Sequence, residues 1–105
     1  MARWVAPPGW APWPENHEPT AFQQAVIDGA RALRSGDVVT YGELAEEIGR
    51  PGSGQAVANV LRHAPDLPWW RVVPSTGRLY RTHAPPQRPL LEREGHTVDA
   101  DRRIR

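Results

Sequence analysis

The chain has 105 residues, carries a net charge of +1 and contains no cysteine. This length suits one small domain, and the missing cysteines exclude disulfides, thiolate metal sites and cysteine nucleophiles. No apolar run approaches the roughly 20 residues of a membrane-spanning helix, and the N-terminus lacks the apolar core of a signal peptide. We therefore expect a cytoplasmic globular protein without a membrane partner.

The small net charge hides a basic stretch in the middle of the chain. Residues 1–49 carry three arginines and seven acidic residues, whereas residues 50–81 carry five arginines and one aspartate. All thirteen basic residues are arginine, whose planar guanidinium suits contacts with phosphate.

The first 19 residues form a Pro/Trp-rich N-terminal segment. It contains five prolines together with Trp4, Trp10 and Trp13, and proline at this density favours extended chain over helix. A flexible tail is one interpretation. The cost of exposing indole rings favours another, in which part of the segment packs on the domain.

A first helix is predicted from the sequence EPTAFQQAVIDGARALRSG, residues 18–36. Pro19 suits its first turn, and Gly36 suits its end. The apolar residues that recur at helical spacing are Phe22, Val26, Ala30 and Leu33.

Two shorter helices follow, and the first begins at a T-x-x-E capping box formed by Thr40 and Glu43. Gly49 ends that helix, and Ser53 is the expected N-cap of the next one. On this next helix the residues expected to point inward are Ala56, Val57, Val60 and Leu61, and those expected on the outer side are Gln55, Ala58, Asn59 and Arg62. Two short helices joined by a glycine-containing turn predict a helix-turn-helix, although an ordinary helical pair has the same pattern.

A small β-hairpin is predicted next, with RVVP and GRLYR as strands and PSTG as the turn. The sequence PPQRPLLEREGH then predicts a last short helix, with Leu90 and Leu91 inward and Gly95 at its end. Residues 97–105 form a polar tail that we expect to be loose. The predicted fold class is mainly α with a small β-hairpin, in a winged helix-turn-helix-like domain.

Catalytic and metal-binding groups find little support in the sequence. The four histidines, His17, His63, His83 and His96, lack metal-ligand spacing. No G-x-S-x-G motif is present, and the glycines of GRPGSG lack the lysine of a phosphate-binding loop. We expect no catalytic residue, no metal and no cofactor. Arginine and aromatic side chains instead favour nucleic-acid binding, in which Tyr41 is a candidate to stack on a sugar-phosphate; a half-buried packing role is its alternative.

The order of these motifs resembles the DNA-binding domain of the O6-alkylguanine-DNA alkyltransferases. The resemblance lies in VVTYGELAEEIGRPGSGQAVANVLRHAP, PWWRVVPSTGRL and LLEREGH, and it covers roughly Phe22 to His96 within a domain of residues 20–96. The central motif of that family is P-C-H-R-V, and its cysteine takes the alkyl group off guanine. Here Trp69 stands in place of the cysteine, which is the mark of the alkyltransferase-like proteins. Those proteins bind O6-alkylguanine in DNA and cannot remove the alkyl group.

The resemblance implies roles for single residues. Tyr41 matches the tyrosine that helps to rotate the lesion nucleotide out of the duplex, and Val72 matches the valine whose backbone meets the flipped guanine. The helix of residues 53–63 matches the recognition helix, which enters the minor groove. The residues implied to bind DNA are Tyr41, Ser53, Gln55, Ala56, Ala58, Asn59 and Arg62, and those implied to line the lesion pocket are Tyr41, Trp69, Trp70, Arg71 and Val72.

Two departures from the family pattern bear on this interpretation. The relay histidine is Trp70 here, so Glu94, which matches the glutamate that closes the proton relay, has no relay partner. The family's arginine finger, which fills the gap left by the flipped base, aligns with the uncharged Gln55. Either flipping is weaker here, or Arg50 or Arg62 helps from nearby.

An indole ring is not nucleophilic at neutral pH but has a large apolar face. We therefore expect Trp69 to form a pocket wall against the base or alkyl group. Stacking of a base on an aromatic ring is worth about 1–3 kcal/mol, against the few kcal/mol that base extrusion costs. Trp70 is expected to face the core. The predicted function is a monomeric, non-enzymatic sensor of O6-alkylguanine in double-stranded DNA, which signals to nucleotide excision repair proteins.

Two other functions stay open at this point. A winged-helix DNA-binding protein without lesion preference, acting as a regulator or architectural factor, is favoured by the Gln55 departure. A protein–protein interaction module would use the Pro/Trp-rich segment to engage a partner. An active alkyltransferase is disfavoured because the chain has no cysteine.

Overall fold

The computed structural model describes residues 12–79 and 87–104. In chain order the elements are α1 (Ala21–Arg31), β1 (Val39–Thr40), α2 (Tyr41–Glu47), α3 (Gly54–His63), a 3-10 turn (Trp69–Arg71), β2 (Val72–Val73) and α4 (Gln87–Arg93). The predicted mainly α class is therefore confirmed.

Helix α1 begins at a second capping box. The Thr20 hydroxyl accepts the Gln23 backbone N–H at 3.1 Å, and the Gln23 side-chain oxygen accepts the Thr20 N–H at 2.9 Å. This cap places Pro19 outside the helix, so the prediction that Pro19 belongs to the first turn is wrong. The capping box satisfies two backbone donors at the start of the helix.

Helices α2 and α3 form the predicted helix-turn-helix. The Thr40 hydroxyl accepts the Glu43 N–H at 3.0 Å, and the Glu43 carboxylate accepts the Thr40 N–H at 2.8 Å, which confirms the predicted capping box. Gly49 follows α2 with a φ of +80°, a conformation that glycine adopts freely. Ser53 is the N-cap of α3, but its side chain makes no capping hydrogen bond.

The inward face of α3 differs from the prediction at two alanines. Val57, Val60 and Leu61 are buried as expected, but Ala58 is only 8% exposed, whereas Ala56 is exposed to solvent. Two alanines have the same hydropathy, so the way α3 packs on α1 and α2 decides which of them is covered.

The predicted β-hairpin is replaced by a parallel pairing. Strand β2 pairs with β1, with Val39 opposite Val72 and Thr40 opposite Val73. Both valines of β2 are buried, and adjacent strand residues point to opposite faces, so β2 fits between two apolar layers. A solvent-exposed hairpin would leave one of these valines in water.

The turn and the second predicted strand have different outcomes. The PSTG turn is confirmed, since the Gly77 N–H donates to the Pro74 carbonyl at 2.8 Å. Arg78, from the predicted second strand, instead bridges Arg103 in antiparallel fashion. Residues 80–81 of that strand lie outside the described residues.

The C-terminal segment is packed, so the expectation of a loose tail is wrong for residues 97–104. Val98 is only 3% exposed and forms an antiparallel bridge with Ile104. The Leu79 N–H donates to the Arg102 carbonyl at 2.7 Å. Two large apolar residues, Val98 and Ile104, anchor a segment that is otherwise mostly polar.

The core consists of two buried clusters on either side of β2. The first lies among α1, α2 and α3 and extends to Leu67 and Val72; it includes Val26 and Ala30 of the predicted α1 stripe, with Phe22 and Leu33 packed at its edge. The second cluster consists of Val73, Leu79, Leu91 and Val98. Leu91 is thus buried as predicted, whereas Leu90 is half-buried.

Part of the Pro/Trp-rich segment packs on the domain. The Trp13 N–H donates to the His63 carbonyl at 2.9 Å, and the Trp13 ring stacks on His17 with 4.1 Å between ring centroids. The packing interpretation is thus confirmed for Trp13, while Trp4 and Trp10 lie outside the described residues. Within the described ranges, no helix has the length and apolar character needed to cross a membrane.

Candidate nucleic-acid interface

An open cleft lies between the N-terminal ends of α2 and α3 and the turn that follows β2. Its volume is about 250 Å³, and its lining residues are Tyr41, Gly42, Gly54, Gln55, Ala58, Pro74 and Ser75. We call it the α2–α3 cleft. Its lining mixes an aromatic ring, an amide and a hydroxyl with small residues, so a flat polar ring can approach its backbone closely.

The register of the small sheet fixes two walls of the α2–α3 cleft. Thr40 and Val73 lie opposite each other in the β1–β2 pair. Each of them directly precedes a wall residue, Tyr41 on one side and Pro74 on the other. The spacing of these walls therefore follows from two backbone positions paired in one sheet.

A glycine allows the two helix ends to lie close together. A Cβ atom at Gly54 would lie 3.4 Å from the Gly42 nitrogen and 3.5 Å from the Tyr41 carbonyl carbon. The backbones of α2 and α3 are thus nearly in contact at this end of the cleft. The two glycines, in GELAEE and SGQAVA, are the sequence signal for this close contact between helix ends, and the contact was not predicted from them.

The polar residues of α3 lie beside the cleft or on the exposed side of the helix. Gln55 is exposed and lines the cleft, and Ala58 contributes a nearly buried part of its lining. The other exposed residues predicted to bind DNA on this helix are Ala56, Asn59 and Arg62. Ser53 is half-buried just before the helix. The structure therefore brings Tyr41, Gln55 and Ala58 together and leaves the others along the outer face of α3.

Trp69 does not form an open wall, which corrects the prediction. Its side chain is only 6% exposed, and Trp69 is not among the residues lining the α2–α3 cleft. The residue begins a 3-10 turn rather than an extended strand. Its ring meets Trp70 edge-on, with 6.0 Å between centroids and 88° between planes. The bent backbone thus lets the buried Trp69 pack against the half-buried Trp70.

Trp70 and Arg71 converge on Glu94. The Trp70 indole N–H donates to Glu94 at 3.0 Å, and the Arg71 guanidinium donates to the same carboxylate with its closest contact at 2.6 Å. Glu94 also accepts the backbone N–H of Gly36 at 3.2 Å. Arg71 further donates to the Leu33 carbonyl at 3.0 Å. Glu94 thus has no histidine relay partner, and it ties the 3-10 turn to the segment that follows α1.

The Glu94 carboxylate is held in its charged form. Hydrogen bonds from Arg71, with smaller contributions from the Trp70 and Gly36 bonds, together lower its pKa from 4.5 to about 2 against the opposing effect of burial. The same pairing raises the pKa of Arg71. The guanidinium also lies 5.2 Å from the centroid of the Trp70 ring, a cation–π arrangement. The group that matches the family's relay glutamate is therefore a structural anion here.

Gln87 is a site-supporting residue that the sequence analysis missed. It is 3% exposed, and its side-chain amide donates to the Trp70 carbonyl at 2.9 Å and to the Val72 carbonyl at 3.0 Å. A buried glutamine at the start of an amphipathic helix has no distinctive sequence signal. Its amide fixes the backbone of the Trp-Trp-Arg-Val segment from the α4 side.

The predicted lesion-pocket residues are distributed over different environments. Tyr41 lines the α2–α3 cleft, whereas Trp69 and Val72 are buried and Trp70 and Arg71 face Glu94. Pro74 and Ser75 line the cleft without having been predicted. In the described parts of the chain, no three His, Asp or Glu side chains are grouped so that they could hold a metal ion.

These features define a helix-turn-helix domain with an open cleft at the start of its second helix. The profile of one family, described as 6-O-methylguanine DNA methyltransferase, DNA binding domain, matches residues 21–96. The chain belongs to this family.

Two relatives illustrate the range of the family. The methylated-DNA–protein-cysteine methyltransferase of Mycobacterium tuberculosis is 36% identical over 87 residues, which cover 78% of this chain and 53% of the relative. The DNA base-flipping protein of Escherichia coli is 35% identical over 89 residues, which cover 80% of this chain and 69% of the relative. The chain thus spans about half the length of the methyltransferases that it matches.

Solved structures show the same fold. S. pombe Atl1 in complex with damaged DNA containing O6-carboxymethylguanine has a TM-score of 0.67 at 29% identity, covering 74% of this chain and 79% of Atl1. Mycobacterium tuberculosis OGT in complex with DNA has a TM-score of 0.63 at 31% identity, covering 73% of this chain and 51% of OGT. In both of these structures the protein is bound to DNA.

Proposed function

We propose that this protein recognises O6-alkylguanine in duplex DNA and holds the lesion without removing the alkyl group. The observation that carries the proposal is the environment of Trp70. The indole that replaces the relay histidine of the family motif donates its N–H to Glu94, and an indole N–H cannot accept a proton as a base. Trp69 occupies the cysteine position, and the chain has no cysteine. Alkyl transfer therefore has neither a nucleophile nor a base, whereas binding of the alkylated base requires neither.

The α2–α3 cleft is the proposed entry for the flipped nucleotide. Its lining brings the Tyr41 ring, the Gln55 amide and Ser75 together. Gln55 would fill the gap left in the duplex, and Tyr41 would press on the sugar-phosphate. O6-alkylation weakens pairing with cytosine, so extrusion costs least at the lesion. The DNA bound to Atl1 and the base-flipping relative of Escherichia coli support this assignment.

The buried Trp69 changes the proposed pocket. Because its ring is covered in this structure, the base would first meet the cleft between Tyr41 and Ser75, with Trp69 supporting the backbone behind it. Recruitment of nucleotide excision repair proteins, action as a monomer and a cytoplasmic location are further parts of the proposal. They are supported by the family resemblance and by composition.

The test compares two duplexes that differ only by one O6-methylguanine. Fluorescence anisotropy at physiological salt should give tighter binding to the methylated duplex. Gln55→Ala should weaken binding to the methylated duplex several-fold more than binding to the plain one, because Gln55 acts only when a base leaves the stack. Gln24→Ala, an exposed glutamine on α1, serves as the matched control and should leave both affinities unchanged.

Equal affinity of the wild-type protein for the two duplexes would contradict lesion recognition. A preferred undamaged sequence, found by footprinting, would then favour the winged-helix regulator. Gln55 favours that second candidate, since it carries no charge to stabilise an extruded state.

A further inference from the structure

We propose that Arg78 and Arg103 form a pair that binds a DNA backbone phosphate beside the α2–α3 cleft. The inference rests on the proposed function for the identity of the partner, which is duplex DNA. It assigns a contact surface to the C-terminal segment, which the sequence analysis treated as a loose tail.

The backbone places the two arginines directly opposite each other. They are bridge partners in an antiparallel ribbon. The flanking hydrogen bonds run from the Leu79 N–H to the Arg102 carbonyl at 2.7 Å and from the Ile104 N–H to the Gly77 carbonyl at 3.0 Å. This pattern is that of a non-hydrogen-bonded pair, in which opposite side chains lie on one face and are closest together. The two guanidinium groups therefore leave the ribbon side by side.

Two like charges at such a position lack a compensating carboxylate. Like charges directly opposite each other in a ribbon are destabilising. Both side chains are exposed. Within residues 12–79 and 87–104 the ion pairs are Arg71–Glu94 and Arg88–Glu92, so neither Arg78 nor Arg103 is paired with an acid there.

The nearby acidic and basic groups leave the pair available. The Asp99 carboxylate accepts the backbone N–H groups of Asp101 and Arg103 at 2.9 and 3.0 Å, so it is engaged by the turn itself. Asp101 is exposed. Arg102, the chain neighbour of Arg103, has its Nε engaged by the Leu79 carbonyl at 3.3 Å. An anion with several oxygens would relieve the repulsion and accept from both arginines.

The arginine pair adjoins one wall of the cleft. Pro74 and Ser75 line the cleft, and the turn they begin is closed by the Gly77 N–H on the Pro74 carbonyl. Arg78 follows three residues after Ser75, a chain distance of at most about 11 Å. A duplex whose nucleotide enters the cleft thus brings its backbone within reach of the pair. Phosphate contacts of this kind fix register and orientation rather than sequence.

The experiment measures the affinity of Arg78→Gln and Arg103→Gln for methylated and plain duplexes over a range of salt concentrations. Each lost phosphate contact should lower the slope of log affinity against log salt by about 0.9 and weaken binding about fivefold at ~0.15 M salt. The ratio between the two duplexes should not change. The free variants should melt at or above the temperature of the wild-type protein, because a repulsion has been removed.

Arg88→Gln is the matched control, because Arg88 is exposed and already paired with Glu92; it should keep the wild-type slope. Wild-type affinity and slope in both arginine variants would overturn the inference. If the wild-type protein binds both duplexes equally, the proposed lesion preference fails, and the slope on plain DNA still decides the role of the pair. A wild-type protein that binds neither duplex contradicts both proposals.

Discussion

At the scale of single residues, Glu94 joins parts of the chain that are far apart in sequence. Its carboxylate accepts from Gly36, Trp70 and Arg71, and its side chain is only 10% exposed. Removing one partner of a fully buried ion pair costs about 3–5 kcal/mol, and the partly buried Arg71–Glu94 pair is expected to cost less than that. Glu94 therefore contributes to the free energy of unfolding through charge and through geometry.

The lowered pKa of Glu94 predicts a specific acid sensitivity. Because the folded-state pKa is about 2 and the ordinary value is 4.5, the stabilisation is fully present above pH 4.5 and is lost as the pH falls from 4.5 towards 2. Urea unfolding of the wild-type protein at pH 6 and pH 3 should show this loss. In Glu94→Gln the protein should be less stable at pH 6, and the loss between the two pH values should be smaller.

The control for this prediction is Glu92→Gln. Glu92 pairs with Arg88 at an exposed position, where an ion pair is worth about 0–1 kcal/mol. The same pH dependence in wild-type protein and Glu94→Gln would show that Glu94 is not the group responsible.

The burial of Trp69 predicts a structural role that mutation can separate from a binding role. Trp69→Ala should lower the free energy of unfolding by about 3–5 kcal/mol, as for other buried tryptophans, and Trp69→Phe should lower it less. Denaturant titration measures both. Unchanged stability in Trp69→Ala together with lost DNA binding would return Trp69 to the open pocket wall of the sequence-based prediction.

At the scale of elements, α1 and α2 begin at local capping signals, and one long-range strand pairing positions the start of α2. The capping box of α2 was predictable because Thr40 and Glu43 are three residues apart. The capping box of α1 has the related pattern T-x-x-Q, and it overrides the helix-start signal of Pro19. The parallel pairing of β1 with β2 joins residues 39 and 72, a distance in sequence that no local pattern encodes.

Two equivalent caps allow the cleft to be tested at this scale. Thr40→Ala removes the cap of α2, whose first residue is Tyr41, and Thr20→Ala removes the cap of α1. Each change should lower stability by about 1 kcal/mol. Only Thr40→Ala should also weaken binding to methylated duplex, since α1 contributes no lining residue to the cleft. Melting temperature and duplex affinity measure the two effects, and equal affinities of the two variants would contradict the placement of the site.

At the scale of the whole molecule, the fold class and the family were predictable, whereas the inner arrangement of the site was not. Ordered motifs along the chain identify the helix-turn-helix, and the match over residues 21–96 confirms the family. The environment of Trp69 depends on a 3-10 turn between two buried clusters, which adjacent tryptophans in a sequence do not reveal. Ala56 and Ala58 show the same limit, because their exposure depends on how α3 packs against its neighbours.

The packed C-terminal segment gives a further example. Residues 97–104 are mostly polar, yet Val98 belongs to the second buried cluster and Ile104 packs against it. Residues 102–104 of this segment form the antiparallel ribbon with residues 77–79. A polar segment with two well-spaced apolar residues can thus complete a domain.

The most direct measurement of the central claim is the composition of DNA recovered from the complex. Limiting protein is mixed with equal amounts of methylated and plain duplex, the bound fraction is isolated, and O6-methylguanine is quantified in the bound and total DNA. We predict enrichment of the lesion in the bound fraction with the total amount unchanged. A bound fraction with the input ratio would contradict selective recognition, and a stoichiometric loss of O6-methylguanine would contradict binding without transfer.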